Sequence, residues 1–165
     1  CTQWMPGGLV EVDTILRMKD IPQVASIKWS PPPGGNHEDM AQFSDIFSVI
    51  ENGDSPARSH ELGGNGYINL TAEAYPPHDL KMWGLLEQGR YTEAQALWDE
   101  INAPLREYSA KVDTRSGGQG RVKKGLSYLM GKPAGVSRPP SKPLNSKELD
   151  ELREILVGFG WPVVN

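Results

Sequence analysis

The sequence is short of the residues that build covalent and metal frameworks. It holds one cysteine, Cys1, so neither an internal disulfide nor a CxxC zinc or redox motif can form within it. Its three histidines, His37, His60 and His78, stand 23 and 18 residues apart. None forms an HxxxH or HExxH pair, so no metal site is expected. Apolar runs are only a few residues long, against the roughly 20 that a bilayer crossing needs, and no membrane span is expected. Positive charge is scarce too: 17 Lys+Arg against 21 Asp+Glu leave a net −4, without the basic footprint of a nucleic-acid binder. The glycine cluster Gly117-Gly118-Gln119-Gly120 fits neither the GxGxxG nor the P-loop spacing, no GxSxG elbow exists, and no cofactor is called for. No charged segment precedes an apolar one at the start, and the chain opens on Cys1 rather than Met. The expectation is a truncated, processed or partial chain from a reducing cytoplasm.

What is present is 165 residues, 38% of them hydrophobic, enough for one ordinary globular domain or a piece of a larger one. Periodicity divides the chain near residue 75. In the first part, Leu9, Val12, Ile15 and Leu16 share a helical face, and three β-like runs follow: Val24-Ala25-Ser26-Ile27-Lys28-Trp29, Phe47-Ser48-Val49-Ile50-Glu51-Asn52 and Gly66-Tyr67-Ile68-Asn69-Leu70. Between them lie a helical pattern with Met40, Phe43 and Ile46 inward, N-capped by Asn36, and a short helix near 57–62. Strand starts about 20 residues apart match a strand, a crossover helix and two short loops, and so predict consecutive parallel strands in an α/β fold.

Beyond residue 75 the patterns are helical only. Pro76 and Pro77 open a helix with Leu80, Trp83 and Leu86 inward, ending at Gly89. Thr92 and Gln95 read as a capping box for a longer helix, kinked at Pro104, whose face runs Ala94, Leu97, Trp98, Ile101, Leu105, Tyr108 and Val112. A further helix uses Val122, Leu126, Leu129 and Met130. The last uses Leu149, Leu152, Leu156 and Phe159, with Asn145 and Glu148 as its capping pair and Gly160 at its end. Of the tryptophans Trp4, Trp29, Trp83, Trp98 and Trp161, Trp83 and Trp98 are expected in cores. Lys123, Lys124 and the charge run 147–154 are expected on solvated faces, as are His37 and His60.

Lys28 stands out chemically because it lies inside an apolar strand. Alternation places Val24, Ser26, Lys28 and Ser30 on one face, and Ala25, Ile27 and Trp29 on the side of the covering helices. A desolvated lysine favours its neutral form, which attacks carbonyl carbons to give a Schiff base. The alternative is a strand-end lysine whose ammonium reaches water along its aliphatic stem.

The pieces together resemble the C-terminal portion of the dihydrodipicolinate synthase and N-acetylneuraminate lyase family, pyruvate-type class I aldolases built on a (β/α)8 barrel. Val24-Ala25-Ser26-Ile27-Lys28 resembles the family's Schiff-base strand, Asn52-Gly53-Asp54 its next strand end, and Gly63-Gly64-Asn65-Gly66-Tyr67-Ile68-Asn69 its glycine-rich eighth strand. Downstream, Gly89-Arg90-Tyr91-Thr92-Glu93-Ala94, Pro104-Leu105, Val122-Lys123 and Ser137-Arg138-Pro139-Pro140 follow in the family's order.

The resemblance implies that Lys28 is the Schiff-base lysine and that the backbone of Ile68 lies beside the bound keto acid. It implies a pyruvate-type 2-keto acid and an aldehyde as substrates, no cofactor, and a homo-oligomer. Residues 1–75 would hold the last βα units of an incomplete TIM barrel, and 76–165 the closing helix and a helical extension. The family's tyrosine acid/base and its Gly-Thr-Thr-Gly-Glu carboxylate loop are missing from this sequence. Three strands leave open edges and cannot close a barrel. The chain alone is therefore expected to be inactive, and a missing N-terminal barrel portion or complementary chain to complete it. A noncatalytic remnant or assembly partner that binds such a chain is the alternative. The insert Ser30-Pro31-Pro32-Pro33-Gly34-Gly35 shapes the acceptor pocket or acts as a stiff connector.

Overall fold

Alternation along residues 24–29 sets which side chains leave the sheet on which side, and the computed structural model, which describes residues 10–32, 34–113 and 119–164, realises it. Strands β1 (Ser26–Trp29), β2 (Ser48–Glu51) and β3 (Gly66–Tyr67) form one parallel sheet in the order β1-β2-β3. Their register aligns Lys28 with Ile50 and Gly66, and Trp29 with Glu51 and Tyr67. Each strand is shorter than its sequence run. The third keeps two residues because β2 ends at Glu51, opposite Tyr67, and offers later residues no further ladder. Trp4, Leu9, Pro33, Gly117 and Gly118 lie outside the described residues.

The chain divides into two compact units. One comprises Cys1–Asn69 with Trp83–Gln95, the other Leu70–Met82 with Ala96–Asn165.

The first unit packs one face of the sheet. Ile27, Trp29 and Val49 bury against Ile15 of helix α1 (Val12–Arg17) and against Met40, Phe43 and Phe47. The segment expected as an α-helix around Met40 is a 3-10 turn, His37–Gln42, so the α-type spacing stops before Ile46, which is 44% exposed. Asn36 sits at its N-cap position but makes no side-chain capping bond. Helix α2 (Pro56–Glu61) begins on Pro56, whose fixed φ and missing N–H suit a first helical position.

In the second unit a helical core gathers Ile101, Leu105, Tyr108 and Val112 of α4 (Tyr91–Asp113, after α3, Pro76–Glu87), Val122, Leu126 and Leu129 of α5 (Gln119–Leu129), and Leu152 and Leu156 of α6 (Ser146–Gly158). Helix α3 opens at Pro76 as expected, but its buried stripe is His78, Met82 and Leu86, spaced four apart; Leu80 is exposed. Thr92 lies inside α4 rather than before it, and the Gln95 amide donates to the Asp54 carbonyl at 2.9 Å. Helix α4 runs continuously through Pro104. The expected box at α6 is formed: Glu148 N donates to Asn145 Oδ1 at 2.9 Å, and Asn145 N to Glu148 Oε2 at 2.7 Å. Gly160, at φ +71°, ends that helix in a conformation few other residues adopt.

Arg121 is buried in this core. Its guanidinium donates to the Val112 carbonyl at the end of α4, to the Lys142 carbonyl before α6, and to Glu148 on α6. Among the described residues no helix is long and apolar enough to cross a membrane.

Candidate functional site

Lys28 is the penultimate residue of β1, near the C-terminal end of a parallel sheet. It leaves the face opposite Ile27 and Trp29, which belong to the buried cluster of this unit, and is half-buried. Beside it on that face come Ile50 and then Gly66, in register. A Cβ on Gly66 would lie 3.2 Å from Ile50 Cδ1, so the glycine leaves room for the isoleucine to lean across. Lys111, Lys123, Lys124 and Lys132 all have carboxylate or carbonyl partners. Lys28 has none among the described residues.

Ile68 follows β3 directly. Its N–H donates to the Glu51 carbonyl at 2.9 Å, which carries the sheet's bonding one residue past the ladder, and its side chain is 46% exposed.

Glu51, the last residue of β2, was not singled out in the sequence. It is fully buried on the Trp29 side of the sheet. Its Oε1 accepts from Gly53 N at 2.6 Å, and its Oε2 lies 3.1 Å from His37 Nε2. A buried carboxyl group is costly unless its oxygens are hydrogen-bonded, and both oxygens have partners here. His37 is therefore not on a solvated face: its side chain is 14% exposed, and its ring meets Trp29 edge-on with centroids 5.8 Å apart. The signal in the sequence was parity, since Glu51 falls two residues after Val49 on the core-facing side of its strand.

The other two histidines are also covered. His60 packs edge-on against Trp83, centroids 5.3 Å apart, and near Tyr91, with its Nδ1 buried and unpartnered. Trp83 is half-buried and Trp98 fully so. In the second unit His78 is 6% exposed and its Nε2 is buried without a partner. Burial pushes its pKa below the ordinary value, against the opposing pull of the Asp79 and Glu100 carboxylates.

A cleft of about 250 Å³ lies in the second unit, lined by Lys124, Tyr128, Pro133, Val136, Pro143 and Leu149 among others. Lys124 is half-buried rather than on a solvated face. Its ammonium donates to the carbonyls of Ala134, Gly135 and Val136 at 2.9, 3.4 and 3.1 Å, so all three donors already have acceptors. Among the described residues no group of three or more His, Cys, Asp or Glu side chains is placed to hold a metal ion.

No protein-family model matches the chain, and no curated protein does. Solved structures do. Dihydrodipicolinate synthase from Aquifex aeolicus superposes with a TM-score of 0.75 at 18% identity, over 95% of this chain and 53% of that one. The fold is that of the C-terminal portion of dihydrodipicolinate synthase. The synthase from Agrobacterium tumefaciens gives a TM-score of 0.73 at 20% identity, over 90% of this chain and 50% of that one. Ruminococcus gnavus sialic acid aldolase gives 0.72 at 20%, over 95% and 53%. The chain thus spans about half the length of the synthase and aldolase structures it matches. Three parallel strands with their helices, followed by a helical extension, form a partial TIM barrel of the synthase type.

Proposed function

We propose that this chain carries the Schiff-base lysine, Lys28, of a class I aldolase or lyase acting on pyruvate or a related 2-keto acid. The observation behind the reading is the place of Lys28: on the sheet face opposite buried Ile27 and Trp29, next to the C-terminal edge of a parallel sheet, in a synthase-type fold. Active sites of such barrels gather at the C-terminal ends of the strands. The neutral amine would attack the ketone carbon, and loss of water would leave a protonated imine. That imine accepts the electron pair released when a C–C bond to the neighbouring carbon breaks, or returns it when that carbon adds to an aldehyde. The backbone at Ile68, held by Glu51, would lie beside the keto acid.

Three strands do not enclose a site, so the remaining barrel strands, in the same polypeptide or another, are needed to hold the substrate carboxylate and move protons. Without them the chain would be inactive. Homo-oligomeric assembly and a cytoplasmic setting belong to the same proposal.

The test is borohydride reduction of the complete native polypeptide in the presence of pyruvate, followed by peptide mass mapping. The expected result is a reduced pyruvate adduct on the peptide containing Lys28, lost in Lys28→Ala. No adduct, or an adduct that survives Lys28→Ala, refutes the assignment. A chain that cannot be trapped yet binds a complementary barrel portion would be an assembly partner instead.

A further inference from the structure

The cleft of the second unit has no part in imine chemistry, yet its walls are held in place by specific bonds. Helix α5 supplies one wall with the stems of Arg121 and Lys124 and the ring of Tyr128, and the segments 133–137 and 143–149 supply the others. Apolar walls close on one another when they can, because closure takes hydrocarbon out of water. Here both outer walls are tied to α5 through their backbones. The Lys124 ammonium holds the carbonyls of Ala134, Gly135 and Val136, and Arg121 Nε donates to the Lys142 carbonyl, next to Pro143. At the floor, a Cβ on Gly125 would meet Leu144 Cδ1 at 2.5 Å and Leu152 Cδ2 at 3.1 Å, so the helix and residue 144 are in direct contact there. A cleft fixed in this way is formed before any ligand arrives, which lowers the entropic cost of filling it.

The interior and the rim differ in chemistry. The Arg121 and Lys124 heads are taken up by carbonyls and by Glu148, so the interior offers hydrocarbon contact against Tyr128, Val136, Pro143 and Leu149. The hydroxyl of Ser137, another lining residue, has no partner among the described residues. From Ser137 the chain turns through Arg138–Ser141, where Ser141 N donates to the Arg138 carbonyl at 3.1 Å, and it rejoins the cleft at Pro143. Arg138 and Lys142 are exposed on that turn, and Arg138 has no carboxylate partner among the described residues. Every charged side chain from 119 to 147 is a cation, although the chain as a whole carries a net −4. At about 250 Å³ the cleft is near the lower end of ligand pockets, which start at about 300 Å³, and suits a body of one or two rings. We propose that it binds a small organic acid with an apolar body, an aryl or branched-alkyl carboxylate, with the hydrocarbon against Tyr128, Val136 and Leu149 and the carboxylate toward the Ser137 hydroxyl and the Arg138 guanidinium. The inference does not rest on the reading of Lys28.

The experiment is calorimetric titration of the complete native polypeptide with cinnamate, cinnamamide and cinnamylammonium, three probes of similar shape and different charge. Cinnamate should bind about three- to fivefold tighter than the amide, the size of an exposed ionic contact, and the ammonium should bind weakest. Arg138→Gln should bring cinnamate down to the amide and leave the amide unchanged. Tyr128→Ala removes a half-exposed ring from a helix surface, should keep the melting temperature within about 2 °C, and should weaken all three probes about fivefold through lost apolar contact. Lys28→Met should leave cinnamate binding as it is. Equal affinity for the three probes overturns the proposal, as does cinnamate binding that does not saturate below about 10 mM. So does a preference for the acid that survives Arg138→Gln, or binding that Tyr128→Ala leaves intact. Binding lost in Lys28→Met overturns it too, because the acid would then lie at the sheet. If Tyr128→Ala does not fold, Leu149→Phe, which fills the cleft from the opposite wall, decides by the same loss of affinity.

Discussion

Gly64 in the Gly63-Gly64-Asn65-Gly66 run gives a prediction whose size follows from distances. A Cβ there would lie 2.5 Å from Ser59 Oγ, 2.8 Å from the Ser59 carbonyl oxygen and 3.0 Å from its carbonyl carbon. The hydroxyl can rotate away, but the carbonyl cannot, because it accepts the hydrogen bond from Gly64 N at 2.8 Å. Gly64→Ala must therefore push the end of α2 away from the start of β3 by roughly half an ångström and weaken that bond. Overpacking costs about 1–3 kcal/mol, and weakening a buried hydrogen bond adds about 1 kcal/mol. At roughly 2–4 °C per kcal/mol for a chain of this length, the summed cost of about 2–4 kcal/mol should lower the melting temperature by roughly 4–16 °C. Gly63 is the control. It stands at φ +92° and faces only the Ser44 side chain, at 3.3 Å, so Gly63→Ala should cost only the left-handed backbone penalty, about 1–2 kcal/mol. Adding Ser59→Ala to Gly64→Ala removes the hydroxyl contact but leaves the carbonyl, and should recover less than half of the loss. The assay is thermal unfolding followed by circular dichroism and tryptophan fluorescence. A Gly64→Ala chain that melts within about 1 °C of wild type, or full rescue by Ser59→Ala, would refute the backbone-contact account.

Three further outcomes are expected. His78 is held below its ordinary pKa of 6.5 by burial, so on acidification the unfolded chain takes up the proton before the folded one. Its stability contribution is therefore complete above about pH 6.5 and declines as pH falls toward the lowered folded value; melting curves from pH 7.5 to 5 should show this slope flattened in His78→Phe. Glu148→Ala removes the α6 capping box and the carboxylate facing buried Arg121, and should destabilise by about 2–4 kcal/mol in urea titrations. Glu148→Gln, which keeps acceptors in place, should lose about half as much. Lys28→Met removes no ion pair among the described residues and keeps the aliphatic stem, so it should leave the melting temperature within about 2 °C while abolishing pyruvate trapping.

The sheet and the place of Lys28 were legible because a strand's period is two: once Ile27 and Trp29 are assigned to the core, Lys28 must face the other way. The α6 capping box was legible because its chemistry is local, needing only Asn145 and Glu148 three apart. Errors arose where a polar residue occupied a core position. His78 disguised the stripe it forms with Met82 and Leu86, which made Leu80 look inward. Glu51 in the same way hid behind its charge, although the alternation that buries Val49 buries it as well. Burial of such groups depends on partners distant in sequence: His37 lies 14 residues from Glu51, and no local rule connects them. The 3-10 turn at His37–Gln42 misled for another reason, because it shares its first turn of spacing with an α-helix and differs only in how far that spacing extends.

Arg121 has a consequence for how the second unit comes apart. Its guanidinium addresses Val112, Lys142 and Glu148, three points that adjoin only when α4, the connection before α6, and α6 itself are all in place. Detaching any one strands a buried cation beside the hydrocarbon of the core, so partly assembled forms are disfavoured on either side of the transition. Lysine carries its three donors on one nitrogen, without the planar fork of five N–H groups that the guanidinium presents. The second unit should accordingly lose its structure in a single cooperative step rather than by fraying from its last helix.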